Sequence, residues 1–464
     1  MQIIKTALLS SALLLLGCDS RPTLPTSSTF TLEHHTGVWQ SQGYGYIMKI
    51  DVEGMQLFDR NQAGCIQKNI SSADIAENMA VFKNIDENHI SVSATPNSTQ
   101  YHFERLTNNQ AELIKTCITS INTNPVENFN YFSQTMAEHY AFFDTYQQNW
   151  PKIVEKYQDK INNSSPNSQL FNVLSSMLKD LDDAHLFLAA EVDGNPKLYQ
   201  PSKSRTLRPA LDRAFAKQND FEDPKAFRLN WYENYKSQVR EAVLEGNANE
   251  IGQFIIWGMI DNIGYINLQR MQDFSESASI QDDMAAIEQA MDTMMNTLSK
   301  SDAIVLDITA NGGGHDEVGL VLARYFNQKK RLAYSKIAFG GNHSQQYYLD
   351  VAQNIAYTKP VYLVTSDHTV SAAETFTMAM KSLPQVIHVG DTTRGSHSDI
   401  LDKMLLNGWH LGLSNEIYKD STGKVSEGKG LVPERMLPIF AGDDIFNSHS
   451  IAIQTLLKEV KSKL

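Results

Sequence analysis

Residues 360–395, PVYLVTSDHTVSAAETFTMAMKSLPQVIHVGDTTRG, constrain the fold more than any other stretch. Val361, Tyr362, Leu363 and Val364 form a short continuous apolar run, the pattern of a strand buried on both faces in a parallel sheet. A polar corner follows at Ser366, Asp367, His368 and Thr369. Then Ala372, Phe376, Ala379 and Met380 repeat at the spacing of one helix face, and residues 386–389 read as the next buried strand. Strand, helix and strand in this order point to an α/β core. Ser371 sits where the first strand turns into the helix. A hydroxyl there points away from the sheet, beside the first free N–H groups of the helix. Those donors can stabilise an oxyanion after attack on a carbonyl. The alternative is a capping serine, the commoner use of serine at a helix start.

The 464 residues suffice for two or three domains. A formal net charge of −13 argues against nucleic acid as a partner and reads as a solubilising surface. Residues 1–17 read as a signal peptide, because the apolar run at 7–16 is too short to span a membrane. Leu15-Leu16-Gly17-Cys18 resembles a bacterial lipobox. The resemblance implies cleavage before Cys18, lipidation of that cysteine and anchoring to a membrane of the bacterial envelope, facing the periplasm. Asp19 resembles an inner-membrane retention signal. Two cysteines remain, Cys65 and Cys117, and an even pair in an exported chain suggests one disulfide rather than two buried thiols.

Residues 18–29 are rich in Ser, Thr and Pro and read as a tether. Residues 30–120 alternate apolar and polar positions, as at Tyr44, Tyr46, Met48 and Ile50, and are expected to form a small antiparallel β domain. The period changes near Asn124. Pro125 suits a first helical turn, Asn124 with Glu127 is capping-box-like, and Phe129, Phe132, Met136, Tyr140 and Phe143 repeat at helical spacing. Residues 121–250 are therefore read as a helical lead-in and cap, and residues 251–464 as the α/β core. Within that core, residues 263–268 and 303–308 read as strands. Met284, Ile287, Met291, Met294 and Leu298 form a helix face, and residues 441–464 a terminal helix.

Four short elements, in order, resemble the S41 serine peptidases, the C-terminal-processing and tricorn core proteases. They are Leu181-Asp-Asp-Ala-His185, Asn311-Gly-Gly-Gly314, Ser371-Ala-Ala-Glu374 and Glu427-Gly-Lys-Gly430-Leu-Val-Pro433. The resemblance covers residues 124–438 and implies a ClpP/crotonase-like core. It implies Ser371 as nucleophile, His185 as general base and Glu427 as the carboxylate that orients the histidine. It further implies an oxyanion hole from Gly313 or Gly314 together with Ala372, and no metal or cofactor. The processing-protease branch has a lysine base where this chain has Ser396, so the resemblance is to the tricorn-like branch. Thr309 replaces an arginine of the glycine motif, and Ala184 replaces the serine that often precedes the base. His397, beside Ser396, is a second candidate base. The implied function is a serine endopeptidase acting on peptides or proteins. The rival is a catalytically inactive S41-like lipoprotein that binds peptides or hydrophobic ligands. Nothing in the sequence sets the oligomeric state.

Overall fold

The computed structural model describes residues 32–464 apart from 278, 354, 355 and 443. The signal peptide, Cys18, Asp19 and the whole expected tether lie outside the described residues. The chain divides into two compact units. The first comprises the N-terminal residues through Ser202 with residues 336–345 and 398–417, and the second comprises the remainder.

The first unit opens with seven strands: β1 (Gly37–Ser41), β2 (Tyr46–Asp51), β3 (Gly54–Asn61), β4 (Gly64–Gln67), β5 (Val81–Asn84), β6 (His89–Ser93) and β7 (Tyr101–Arg105). They form one antiparallel sheet in the order β4-β3-β2-β1-β7-β6-β5. Trp39, Met48, Ile50, Leu57, Ile90 and Phe103 pack together on it as a core. A disulfide joins Cys65 on β4 to Cys117, with Cα atoms 4.5 Å apart.

Helices α1 (Pro125–His139), α2 (Trp150–Gln158) and α3 (Asn167–Leu178) follow. Asn124 caps α1 by accepting the N–H groups of Val126 and Glu127, with Pro125 in the first turn. The Glu127 carboxylate accepts from the Asn122 side-chain amide at 2.5 Å. Phe129, Phe132, Met136 and Tyr140 are all buried, so the aromatic stripe is core.

A second sheet in this unit pairs β8 (Phe187–Val192) and β9 (Asn195–Tyr199) with the hairpin strands Ile400–Met404 and His410–Ser414. Residues 251–464 were expected to stay together as one core, and residues 336–345 and 398–417 leave it. Charge helps to hold residues 398–417 in the first unit. Asp59 on β3 is fully buried and faces Lys403 at 2.8 Å and Lys68 at 3.1 Å, with Lys403 over the Tyr46 ring. Removing one member of such a buried pair leaves an uncompensated charge and costs about 3–5 kcal/mol.

The second unit is built on a sheet whose strand order is its chain order: β10 (Asn249–Ile251), β11 (Ile255–Ile260), β12 (Ile263–Leu268), β13 (Ala303–Asp307), β14 (Val361–Thr365), β15 (Val386–Gly390) and β16 (Arg435–Met436). The first two pairings are antiparallel and the other four parallel. Its helices are α4 (Leu207–Phe215), α5 (Pro224–Gln238), α6 (Ile280–Leu298), α7 (Asp316–Arg324), α8 (Ala372–Lys381) and α9 (Ser448–Lys463).

The strands alternate between two cores, as their period of two requires. Ile304, Leu306, Val361 and Leu363 pack with Ile287, Met291, Val318 and Phe376 from α6, α7 and α8. Ala303, Val305, Tyr362 and Val364 pack with Leu211, Trp231, Tyr235 and Leu456 from α4, α5 and α9. Both faces of the parallel strands are therefore covered, which is why they read as unbroken apolar runs. The molecule is a mixed α/β protein with a ClpP/crotonase-like core.

The disulfide closes a segment of 52 residues. Replacing both Cys65 and Cys117 by alanine is expected to lower the stability of the first unit by up to about 4 kcal/mol through the freed denatured chain. Urea unfolding of the oxidised chain beside the double variant reads this, and equal midpoints would contradict it.

Candidate active site

Ser371 lies between β14 and α8, the turn expected from the sequence. Its backbone has φ +62° and ψ −130°, and its side chain makes no capping hydrogen bond to the helix. The capping alternative is therefore excluded. A non-glycine residue in this region is strained, at a cost of about 1–3 kcal/mol that surrounding structure must offset.

The offset is visible on every side of the turn. The Ser371 N–H donates to the Ser396 carbonyl at 3.0 Å, and the Val370 N–H donates to the Asn311 carbonyl at 3.3 Å. The N–H groups of Glu374 and Thr375 return to the Ser371 carbonyl at 2.7 and 3.2 Å. Ser366 and Thr369 donate their hydroxyls to the carbonyls of Thr309 and Ile308.

The glycine loop packs directly on the serine. A Cβ on Gly313, which has φ +92°, would lie 2.7 Å from the Ser371 Cβ and 3.2 Å from the Ala372 nitrogen. Only glycine allows that approach. The three expected oxyanion donors do not stand equal. The Gly313 N–H donates to the Asn311 side-chain carbonyl at 2.9 Å, so this amide is engaged within its own loop. Gly314 bridges Met271, through Met271 N–H to the Gly313 carbonyl and His315 N–H to the Met271 carbonyl. Strand geometry then turns the Gly314 N–H away from Met271. Ala372 opens α8, where an amide has no intrahelical acceptor.

Glu374, the last residue of the serine motif, is fully buried on α8. Its carboxylate accepts from the Thr393 hydroxyl at 2.5 Å, the Gly395 N–H at 2.7 Å and the Ser396 N–H at 2.8 Å. Glu427 is also buried, and its Oε2 accepts the His397 N–H at 2.8 Å. The loop carrying Glu427 is stapled to residues 393–395. The Gly428 N–H donates to the Gly395 carbonyl, and a Cβ on Gly430 would lie 2.1 Å from the Thr393 carbonyl oxygen.

Glu427 was expected to orient His185. His185 belongs to the other unit; within the second unit the Glu427 carboxylate is set against His397, at 3.4 Å from Nδ1, while Glu374 lies 3.6 Å from Nε2. Burial of the His397 ring opposes its charging, but the negative charges of Glu374 and Glu427, with Asp316 behind them, prevail and hold it above the ordinary histidine value. A ring whose two nitrogens each face a carboxylate has none left to accept the proton of a serine.

His185 belongs to the first unit. It was weighed as a surface or helix-dipole residue, and it is buried. Its N–H donates to Asp183 Oδ1 at 2.8 Å, and the Tyr140 hydroxyl donates to the other oxygen at 3.0 Å. Its Nδ1 is buried with no hydrogen-bond partner among the described residues.

Two groups escaped the sequence reading. Arg205 donates through Nη2 to the carbonyls of Thr393 and Arg394. Asp307 ends β13 and is fully buried, accepting from Tyr265, Asn267, His449 and the hydroxyl and N–H of Thr309. Thr309, which departs from the family motif, thus closes a hydrogen-bonded turn at the head of the glycine loop. No local signal marks Arg205 or His449, since their partners lie far off in the chain.

Residues 262–436 match Peptidase family S41, and residues 122–179 match the Tricorn protease C1 domain. Carboxyl-terminal-processing peptidase 2, chloroplastic, of Arabidopsis thaliana is 26% identical over 176 residues, which is 38% of this chain. The match spans about a third of that relative, 32% of its length. Among solved structures, a putative peptidase from Parabacteroides merdae superposes with a TM-score of 0.57 at 21% identity, covering 73% of this chain and 97% of that one. That likeness establishes the fold.

The strain at Ser371 predicts a measurable release. Ser371→Gly is expected to be more stable than Ser371→Ala by about 1 kcal/mol, since only glycine adopts this φ freely. Chemical unfolding of the two variants gives the difference, and a less stable glycine variant would show that the turn is not strained.

Proposed function

The chain belongs to peptidase family S41, and from that premise we propose that it is a serine endopeptidase working through an acyl-enzyme on Ser371. One observation supports the reading most: a strained serine whose hydroxyl does not cap its helix, beside the first amide of that helix. Such strain is kept where the surroundings impose it, and active sites are where it concentrates.

In the proposed reaction the Ser371 Oγ attacks a peptide carbonyl and its proton passes to a histidine. The new oxyanion accepts from the Ala372 N–H. Collapse breaks the C–N bond, the histidine returns the proton to the leaving amine, and water releases the acyl group by the same steps. His185 is assigned as that histidine on its motif, and because His397 is occupied by two carboxylates. The substrate is a peptide or protein. Residues 15–19 support a lipid anchor at Cys18 in a bacterial envelope, with Asp19 favouring the inner membrane.

Fluorophosphonate labelling tests the chemistry. Wild type is expected to label, Ser371→Ala to lose all labelling, and His185→Ala to lose at least 100-fold in rate, as for removal of a general base. Full labelling of Ser371→Ala, or none of well-folded wild type between pH 6 and 9, would sink the reading and favour the inactive binding protein. The anchor is tested apart, by metabolic labelling with a fatty acid in bacteria. Cys18→Ser is expected to abolish incorporation, and persistent incorporation would refute it.

A further inference from the structure

His397 is 1% exposed and faces an acid at each ring nitrogen. At 3.4 and 3.6 Å these contacts are longer than good hydrogen bonds and act through charge. The same two carboxylates hold the main chain around the ring. Glu427 takes the His397 N–H, and Glu374 takes those of Gly395 and Ser396. The carbonyl of Ser396 in turn receives the Ser371 N–H at 3.0 Å. A continuous path therefore leads from the imidazole, through two glutamates and one loop, to the backbone of the serine. With a neutral ring, the two buried carboxylates would lose the charge that faces both of them, at a cost in stability.

We propose that His397 is a positioning residue, a buried imidazolium between Glu374 and Glu427 whose charge holds residues 393–397 against Ser371. It acts through the loop and does not exchange protons with substrate. The titratable groups facing it are Glu374 on α8, Glu427 on the loop before β16 and, farther off, Asp316 at the start of α7. The inference rests on the peptidase reading for its effect on reactivity, but the charge state and the loop do not.

The pH dependence follows from the sign. The folded value of His397 is raised above its ordinary 6.5. The stabilising charge is therefore complete below 6.5 and is lost as pH climbs through the folded value. A serine served by a histidine base gains reactivity with rising pH and then levels off. Here a decline is expected on the alkaline side, when the 393–397 loop loosens.

Three measurements on the full chain test this. Histidine Cε1–H NMR resonances, assigned by the one missing in His397→Gln, should show His397 titrating above the ordinary histidine value. Hydrogen exchange at residues 393–397 should be at least tenfold faster in His397→Gln, and near wild type in His397→Lys, which restores the cation. The fluorophosphonate rate should fall above the His397 midpoint in wild type, and His397→Lys should move that fall to higher pH. A His397 resonance that titrates at or below the ordinary value overturns the proposal. So does unchanged exchange in a folded His397→Gln variant. If wild type never labels while resonance and exchange behave as expected, the peptidase reading fails and the positioning role stands.

Discussion

The buried carboxylate of Glu374 is the interaction on which the candidate site depends. It sits one helical turn after Ser371 and receives three donors from residues 393–396. That loop has no regular secondary structure to satisfy its amides. Without an acceptor they would be buried and unpaired, each at a cost of about 1–3 kcal/mol. Once the loop is fixed, the Ser396 carbonyl is in place to accept the Ser371 N–H, and the strained turn has an outside support. The Ser-x-x-Glu spacing is therefore mechanical: from the first turn of α8, Glu374 anchors the loop that supports the strained serine at the start of that helix.

A second buried acid works on the opposite side of the turn. Asp307 gathers donors from β12, from Thr309 and from His449 on α9, and so fixes the end of β13. The glycine loop leaves from that end and carries Gly313 to the Ser371 Cβ. Thr309 in place of the family's arginine gives up a positive charge, yet its hydroxyl and N–H both remain on Asp307. At this corner Asp307 also accepts from His449 Nε2 at 2.7 Å.

Ser396 follows Gly395, and one residue later the His397 ring faces both Glu374 and Glu427. Its raised affinity for protons reflects burial overcome by two negative charges, the reverse of His388, whose burial beside Lys381 pushes it down to about 3. The opposite signs of their neighbours thus push two buried histidines of one unit in opposite directions.

The parallel strands, the helices between them, the aromatic stripe of α1 and the position of Ser371 were legible in the sequence, because each follows from a local period or a local turn. Cys65 and Cys117 could be paired because they were the two cysteines left beyond Cys18. Legibility ended where contacts join distant segments. Residues 398–417 read as part of the core, yet pair with β8 and with Asp59, choices made by strand register and buried charge rather than by pattern. Likewise Glu427 was expected to orient His185, and no spacing could reveal that it faces His397. Local sequence determined which elements form and where the strained turn falls. Tertiary structure alone decided which charges meet, because that depends on distances between residues that the chain itself does not encode in their separation.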